Sequence, residues 1–130
     1  MIEISSIPGN ITGSYFIVVK HRSSIETWSV APVDFGLTNP VFYNFTTSAS
    51  KAYGNNEKLI MNLVYAIWGG DASQDGTVDA TDMGIVDNAV TALLKGYYPE
   101  DVNGDGTVDA SDMSLIDNNA TNLIRVKKPE

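Results

Sequence analysis

Residues 71–94, DASQDGTVDATDMGIVDNAVTALL, realign thirty residues later on residues 101–124, DVNGDGTVDASDMSLIDNNATNLI, with more than half of the positions identical. A repeat of this kind is a tandem duplication of one supersecondary unit. Each copy opens with an acidic, glycine-containing loop. It continues with apolar residues at helical spacing, Met83, Val86, Val90 and Leu93 in the first copy and Met113, Ile116, Ala120 and Leu123 in the second. Gly96 and Pro99 break the chain between the copies, and Gly69-Gly70 in front of the first disfavours a helix leading into it. The expected unit is therefore a loop followed by a helix.

The spacing of the acids gives the loops their chemistry. A twelve-residue calcium loop needs oxygen donors at positions 1, 3, 5, 9 and 12, a backbone carbonyl at 7, and glycine at 6 where the chain turns sharply. In the first loop Asp71, Ser73, Asp75, Asp79 and Asp82 occupy the donor positions, Gly76 the turn and Thr77 the carbonyl position. In the second, the same places are held by Asp101, Asn103, Asp105, Asp109 and Asp112, with Gly106 and Thr107. Val78 and Val108 fall at position 8, where an apolar residue can pair a loop with its partner across a short strand. Hard oxygen donors without His or Cys select calcium over zinc or copper, and this many donors suits calcium better than strongly hydrated magnesium. The pattern predicts two half EF-hands and two calcium ions. Position 12 is Asp rather than the usual Glu in both copies, and Ser73 is a weaker donor than Asn103. The first site is thus expected to be the weaker, with both in the range of about 10⁻⁴–10⁻³ M typical of extracellular modules.

The charge distribution has the same division. Residues 1–70 hold four acids and four bases, so the whole net charge of −8 lies in residues 71–130. Eight acids in two adjacent loops repel one another, so ion binding is expected to be coupled to folding. There is no cysteine, hence no disulfide, and calcium is the expected staple. An acidic surface argues against nucleic acid as a partner, which needs clustered Lys and Arg. No apolar run reaches the ~18–20 residues of a membrane span, so membrane insertion is not expected. The N-terminal MIEISSIPGN has neither the basic start nor the apolar stretch of a signal peptide, so any export signal is expected to have been removed or to lie elsewhere.

The first seventy residues carry β-branched and aromatic runs at Tyr15 to Lys20, Thr27 to Val33, Val41 to Thr46 and Leu59 to Trp68, separated by Gly, Pro, Asn and Ser clusters. Four or five short strands are expected, with the continuous run Phe16-Ile17-Val18-Val19 as a central strand buried on both faces. The expected fold class is α+β: a small antiparallel β-sandwich over residues 1–70, then a pair of calcium loop-helix units over residues 71–130. A thin sandwich has exposed edges that invite a strand from another chain.

Three other features bear on function. His21, the one histidine, could join a serine and Asp34 in a triad, but no nucleophile motif accompanies it, and no catalytic residue is expected. The aromatics Tyr15, Trp28, Phe42, Tyr43, Tyr65 and Trp68 could stack on sugars, although at strand spacing they more often pack a core. Asn10-Ile11-Thr12, Asn44-Phe45-Thr46 and Asn119-Ala120-Thr121 match the N-glycosylation acceptor pattern, which arises often by chance.

With these residues in place, residues 71–124 resemble dockerin modules, whose tandem repeats have the form D-x-N-x-D-G-x-x-x-x-x-D with Asp at position 12. The resemblance implies a non-catalytic module that binds a cohesin-like surface protein through Ala80-Thr81, Asp87-Asn88, Ala110-Ser111 and Asp117-Asn118. The helix pairs are Asp-Asn in both copies. The whole chain is similar to the C-terminal regions of large secreted or surface proteins of Bacteroidetes-type bacteria, in which a stretch like Tyr15-Phe16-Ile17-Val18-Val19-Lys20-His21-Arg22 leads into dockerin-like repeats. That similarity implies an extracellular or cell-surface location. It also implies further strands upstream of Ile7-Pro8-Gly9, so the chain is either a fragment or a small protein whose neighbour supplies a strand. The expected function is a non-catalytic, calcium-stapled structural subunit that assembles with copies of itself into a filament or surface layer; the rival is a docking module that tethers a larger protein to a surface partner.

Overall fold

The computed structural model describes residues 11–36 and 41–130. Among the described residues six short strands form three separate antiparallel pairs: β1 (Ser14–Tyr15) with β4 (Val33–Asp34), β2 (Val18–His21) with β3 (Ser24–Trp28), and β5 (Lys58–Met61) with β6 (Val64–Ala66). The same residues hold two α-helices, α1 (Ala80–Thr91) and α2 (Ala110–Ala120). The upstream segment around Ile7-Pro8-Gly9 lies outside the described residues.

The expected β-sandwich is not formed among the described residues, and the reason is local. Thr27 to Val33 does not run on as one strand: β3 stops at Trp28, Val30 is exposed, and Val33 pairs with Tyr15 instead. Val41 to Thr46 forms no strand: its end, Phe45-Thr46, and the chain just beyond are wound into tight turns at Phe45–Thr47, Ala49–Lys51 and Tyr53–Asn55. Asn44 Oδ1 accepts from Thr46 N at 2.9 Å and Ser48 Oγ from Ser50 N at 3.2 Å. Such side-chain acceptors offer the backbone an alternative to a sheet ladder. Leu59 to Trp68 folds back on itself at Asn62-Leu63, where both residues have positive φ, 44° and 64°, as a two-residue hairpin turn requires.

The buried strand is also a different one from that expected. Phe16 to Val19 is only half-buried, whereas β3 carries Ile25 at 0% and Thr27 at 1% exposure. Strand β3 is central because bridges radiate from it and from Ser29 just beyond its end: Ser24 to Gly69, Thr27 to Lys127, and Ser29 to Ala52.

The two helices do not form the expected dockerin unit. Their buried residues, Val86 and Ala89 on α1 and Ile116 on α2, join one cluster with Val78, Val108 and Ile124, which Ile25 of β3 completes and Trp68 borders. The apolar stripe of each helix is too narrow to close a core alone: of three buried residues on each, Asp82 on α1 and both Asp112 and Asn119 on α2 are polar. The result is a small mixed fold in which both halves of the chain contribute to one core. Burial of these aliphatic side chains is worth about 1.5–3 kcal/mol each.

The duplication survives as a crosswise pairing. Val78 and Val108 do not pair with each other. Val78 N donates to Ile124 O, beyond α2, at 2.9 Å, and Val108 N donates to Leu94 O, beyond α1, at 3.1 Å. Gly96 N to Gly106 O and Val126 N to Gly76 O extend both pairings. Each loop is thereby fastened to the tail of the other repeat.

Candidate metal loops

Each helix starts where its loop ends, and one residue performs both tasks. Asp79 caps α1 by accepting from Thr81 N at 2.7 Å, and Asp109 caps α2 by accepting from Ser111 N at 2.8 Å. The position-12 acids complete reciprocal capping boxes, Asp82 Oδ2 accepting from Asp79 N and Asp112 Oδ2 from Asp109 N, both at 2.9 Å. Their other oxygens reach back to the loop start: Asp82 Oδ1 accepts from Ser73 N and Asp112 Oδ1 from Asn103 N, again at 2.9 Å. Both carboxylates are fully buried. The short arm of Asp suffices because the helix begins directly against the loop.

The position-1 acids are buried as well, at 2% exposure each. Asp71 accepts from Asp75 N and Gly76 N, both at 3.1 Å, and Asp101 from Gly104 N at 2.9 Å and Gly106 N at 3.2 Å. Gly76 and Gly106 have φ of 89° and 86°, a left-handed turn that glycine adopts without strain. At position 5, Asp75 Oδ1 and Asp105 Oδ1 accept from Thr77 N and Thr107 N at 2.9 Å. Asn103 Oδ1 accepts from Asp105 N at 2.7 Å, while the shorter Ser73 donates its hydroxyl to Asp71 Oδ1 at 3.4 Å. Thr77 and Thr107 are fixed by bridges to Arg125 and Lys95.

Positions 1, 3, 5 and 12 are thus drawn together around each loop, while Asp79 and Asp109 face the helix N-termini. Among the described residues no three His, Asp or Glu side chains close to metal-holding distance. The donors nonetheless fit a hard cation in kind. All are oxygen, and the Asp71 carboxyl is pushed up from its ordinary value, first by burial and then by the charges of Asp82 and Asp75, with hydrogen bonds from Gly76 and Ser73 opposing. Carboxylates that repel one another in a partly desolvated loop are what a calcium ion would neutralise. Asp109 is held below its ordinary value by hydrogen bonds from Ser111.

Two contributors have no counterpart in the sequence pattern. Gln74 has φ of 60° and donates its amide to Asp71 O at 2.6 Å and Ser24 O at 3.3 Å, tying the first loop to β3. Arg22, in the turn between β2 and β3, reaches the second loop and pairs with Asp101 Oδ2 at 3.4 Å. A Gln at loop position 4 and an Arg beside His21 carry no sequence signal for these contacts, because the partners are 50 and 79 residues away.

The hydrogen bonds of His21 among the described residues go to Arg22, Ser23 and Ser24, not to a carboxylate. Burial first, then the Arg22 charge, lowers its pKa. The surface residues implied by the dockerin resemblance, Ala80-Thr81, Asp87-Asn88, Ala110-Ser111 and Asp117-Asn118, are all exposed. No family model matches the chain, and no curated protein or solved structure is significantly similar to it.

Proposed function

We propose that this chain is a non-catalytic, extracellular structural subunit that holds two calcium ions as staples and assembles with copies of itself. For calcium, the support is the donor set repeated in register, Asp71, Ser73, Asp75, Thr77, Asp79 and Asp82, then Asp101, Asn103, Asp105, Thr107, Asp109 and Asp112. Calcium, when bound, supplies the positive charge that offsets the repulsion within each loop. The chain's own contribution is to fasten each loop to the opposite repeat, so that loop order and core packing depend on one another. Sites of modest affinity stay filled in calcium-rich surroundings outside cells.

The observation that carries self-assembly is the β5–β6 ribbon. Leu59, Ile60, Met61, Leu63 and Val64 are 54%, 55%, 63%, 75% and 41% exposed. Successive residues of a strand point to opposite faces, so neither face of β5 is covered by the described residues. A two-stranded ribbon is marginal by itself, and an apolar patch with an open edge marks a protein contact. A second copy, offering a different edge head to tail, satisfies the ribbon's open hydrogen bonds and leaves the contact free to repeat along a polymer.

Calorimetric calcium titration of EDTA-stripped protein, with negative-stain microscopy before and after addition, tests the reading. Two bound ions with polymers forming in calcium are expected. Two ions with monomers throughout would leave the staple and remove self-assembly, favouring a docking role; no binding would remove the staple itself.

A further inference from the structure

The two loops are alike in sequence and unlike in electrostatic surroundings. Arg22 crosses from the β2–β3 turn to the second loop and is largely buried there, with 16% of its side chain exposed. Its Nε donates to Tyr98 O at 2.8 Å, and one terminal nitrogen donates to Asp101 O at 3.2 Å and Asp101 Oδ2 at 3.4 Å. The guanidinium carbon lies 3.9 Å from the centre of the Tyr97 ring. A planar cation so held by carbonyls, ring and carboxylate is fixed in place and poorly screened. Among the described residues the equivalent acid of the first loop, Asp71, has no cationic partner within ion-pair distance. The contact to its backbone carbonyl comes from the neutral amide of Gln74.

We propose that Arg22 is a tethered counter-cation of the second loop. It partly neutralises Asp101 when no metal is bound, keeps that loop folded, and weakens calcium binding there, so that the first loop fills at lower calcium than the second. The inference rests on the calcium reading above and reverses the order expected from ligand types, in which Ser73 made the first site the weaker. Magnitude decides between the two effects. A unit charge adjacent to a divalent ion corresponds to about tenfold in affinity even at the dielectric of water, and more in a buried setting, whereas a hydroxyl in place of an amide changes one neutral donor of several.

The test tracks the amides of Gly76 and Gly106 by NMR during calcium titration of the full chain, since each glycine reports its own loop. In the wild type, Gly76 should reach its midpoint first. Arg22→Gln should lower the Gly106 midpoint about tenfold and leave that of Gly76 in place; Arg22→Lys, which keeps the charge and loses the fork, should stay within about threefold of wild type. Arg22→Met, which keeps the apolar stem, replaces the Gln variant if that one fails to fold in EDTA. The proposal is overturned if Gly106 responds first in the wild type, if neutral variants leave its midpoint unchanged or raise it, or if Lys acts as Gln does. Wild-type amides that ignore calcium altogether would sink the calcium reading, and this one with it. Two responding amides with an unmoved Gly106 midpoint in the neutral variants would sink this one alone.

Discussion

Val78 in the first loop donates its backbone N–H to the carbonyl of Ile124, which lies beyond the second helix. Because Val108 makes the mirror-related bond to Leu94, neither repeat is complete without the other. Of the two cross-repeat pairings, deleting residues 124–130 removes only that of the first loop, along with the core side chain Ile124 and the bridge from Lys127 to Thr27. Amide exchange at Gly76 and Val78 should then accelerate by more than about tenfold, while Gly106 and Val108 change little. Equal acceleration in both loops would mean that the pairing carries no local stability.

The buried acids at position 12 act as cap and as loop anchor together, and charge and geometry can be separated. Asp112→Asn keeps an oxygen for the Asn103 or Asp109 amide and should cost about 1 kcal/mol in EDTA, whereas Asp112→Ala leaves both N–H groups without their acceptor and should cost about 2 kcal/mol or more. Either change should abolish the calcium-dependent rise in stability contributed by the second loop. Urea denaturation with and without calcium measures both quantities.

Glu57 is 6% exposed, and among the described residues nothing donates to either carboxylate oxygen. Burial pushes its pKa up from 4.5 to about 7. The folded state therefore holds a proton that the unfolded state releases near pH 4.5. The stabilising contribution is full below that pH, is lost as pH rises through about 7, and stays lost above. Glu57→Gln should match the wild type near pH 4 and exceed it by on the order of 2 kcal/mol at pH 8. A difference independent of pH would show that Glu57 finds a partner when ionised.

Leu63 sits at the tip of the β5–β6 ribbon with φ of 64°, 75% exposed. A left-handed leucine is strained, and glycine is the preferred residue after Asn in such a turn. Leu63→Gly should raise the unfolding free energy by about 0.5–1 kcal/mol. Ile60→Lys, on an exposed strand position, should leave the monomer's Tm nearly unchanged but prevent polymer formation seen by light scattering. Polymers of normal length from Ile60→Lys would remove the ribbon from the assembly contact.

Core packing across the halves can be tested at Ile25, the fully buried residue of β3. Ile25→Ala should cost about 2–5 kcal/mol and should perturb both helices, read from exchange at Val86 and Ile116. A loss confined to the strands would mean that the helices hold together without them.

The amino-acid sequence by itself determined the features that rest on contacts within a few residues. The acids of each loop, the glycine turns at Gly76 and Gly106, and the helix starts at Asp79 and Asp109 all come from short hydrogen-bonded rings between residues up to nine apart. Apolar spacing likewise located the bodies of α1 and α2, but Leu93 and Leu123, expected at the ends of the two stripes, lie beyond the helices with φ of 52° and 53° and are exposed. Tertiary structure decided everything that joins distant residues. Tyr15 pairs with Val33 rather than with a longer strand; Ile25 rather than Phe16 to Val19 enters the core; Arg22 finds Asp101; and each loop is closed by the tail of the opposite repeat. The expected sandwich failed for the same reason. Alternation and β-propensity say that a segment fits a half-buried pleated surface, but whether it becomes a sheet depends on which partners remain after Asn44, Ser48 and the Asn62-Leu63 turn have taken their local bonds. Such choices are set by the free energy of the whole packing, which no window of sequence contains.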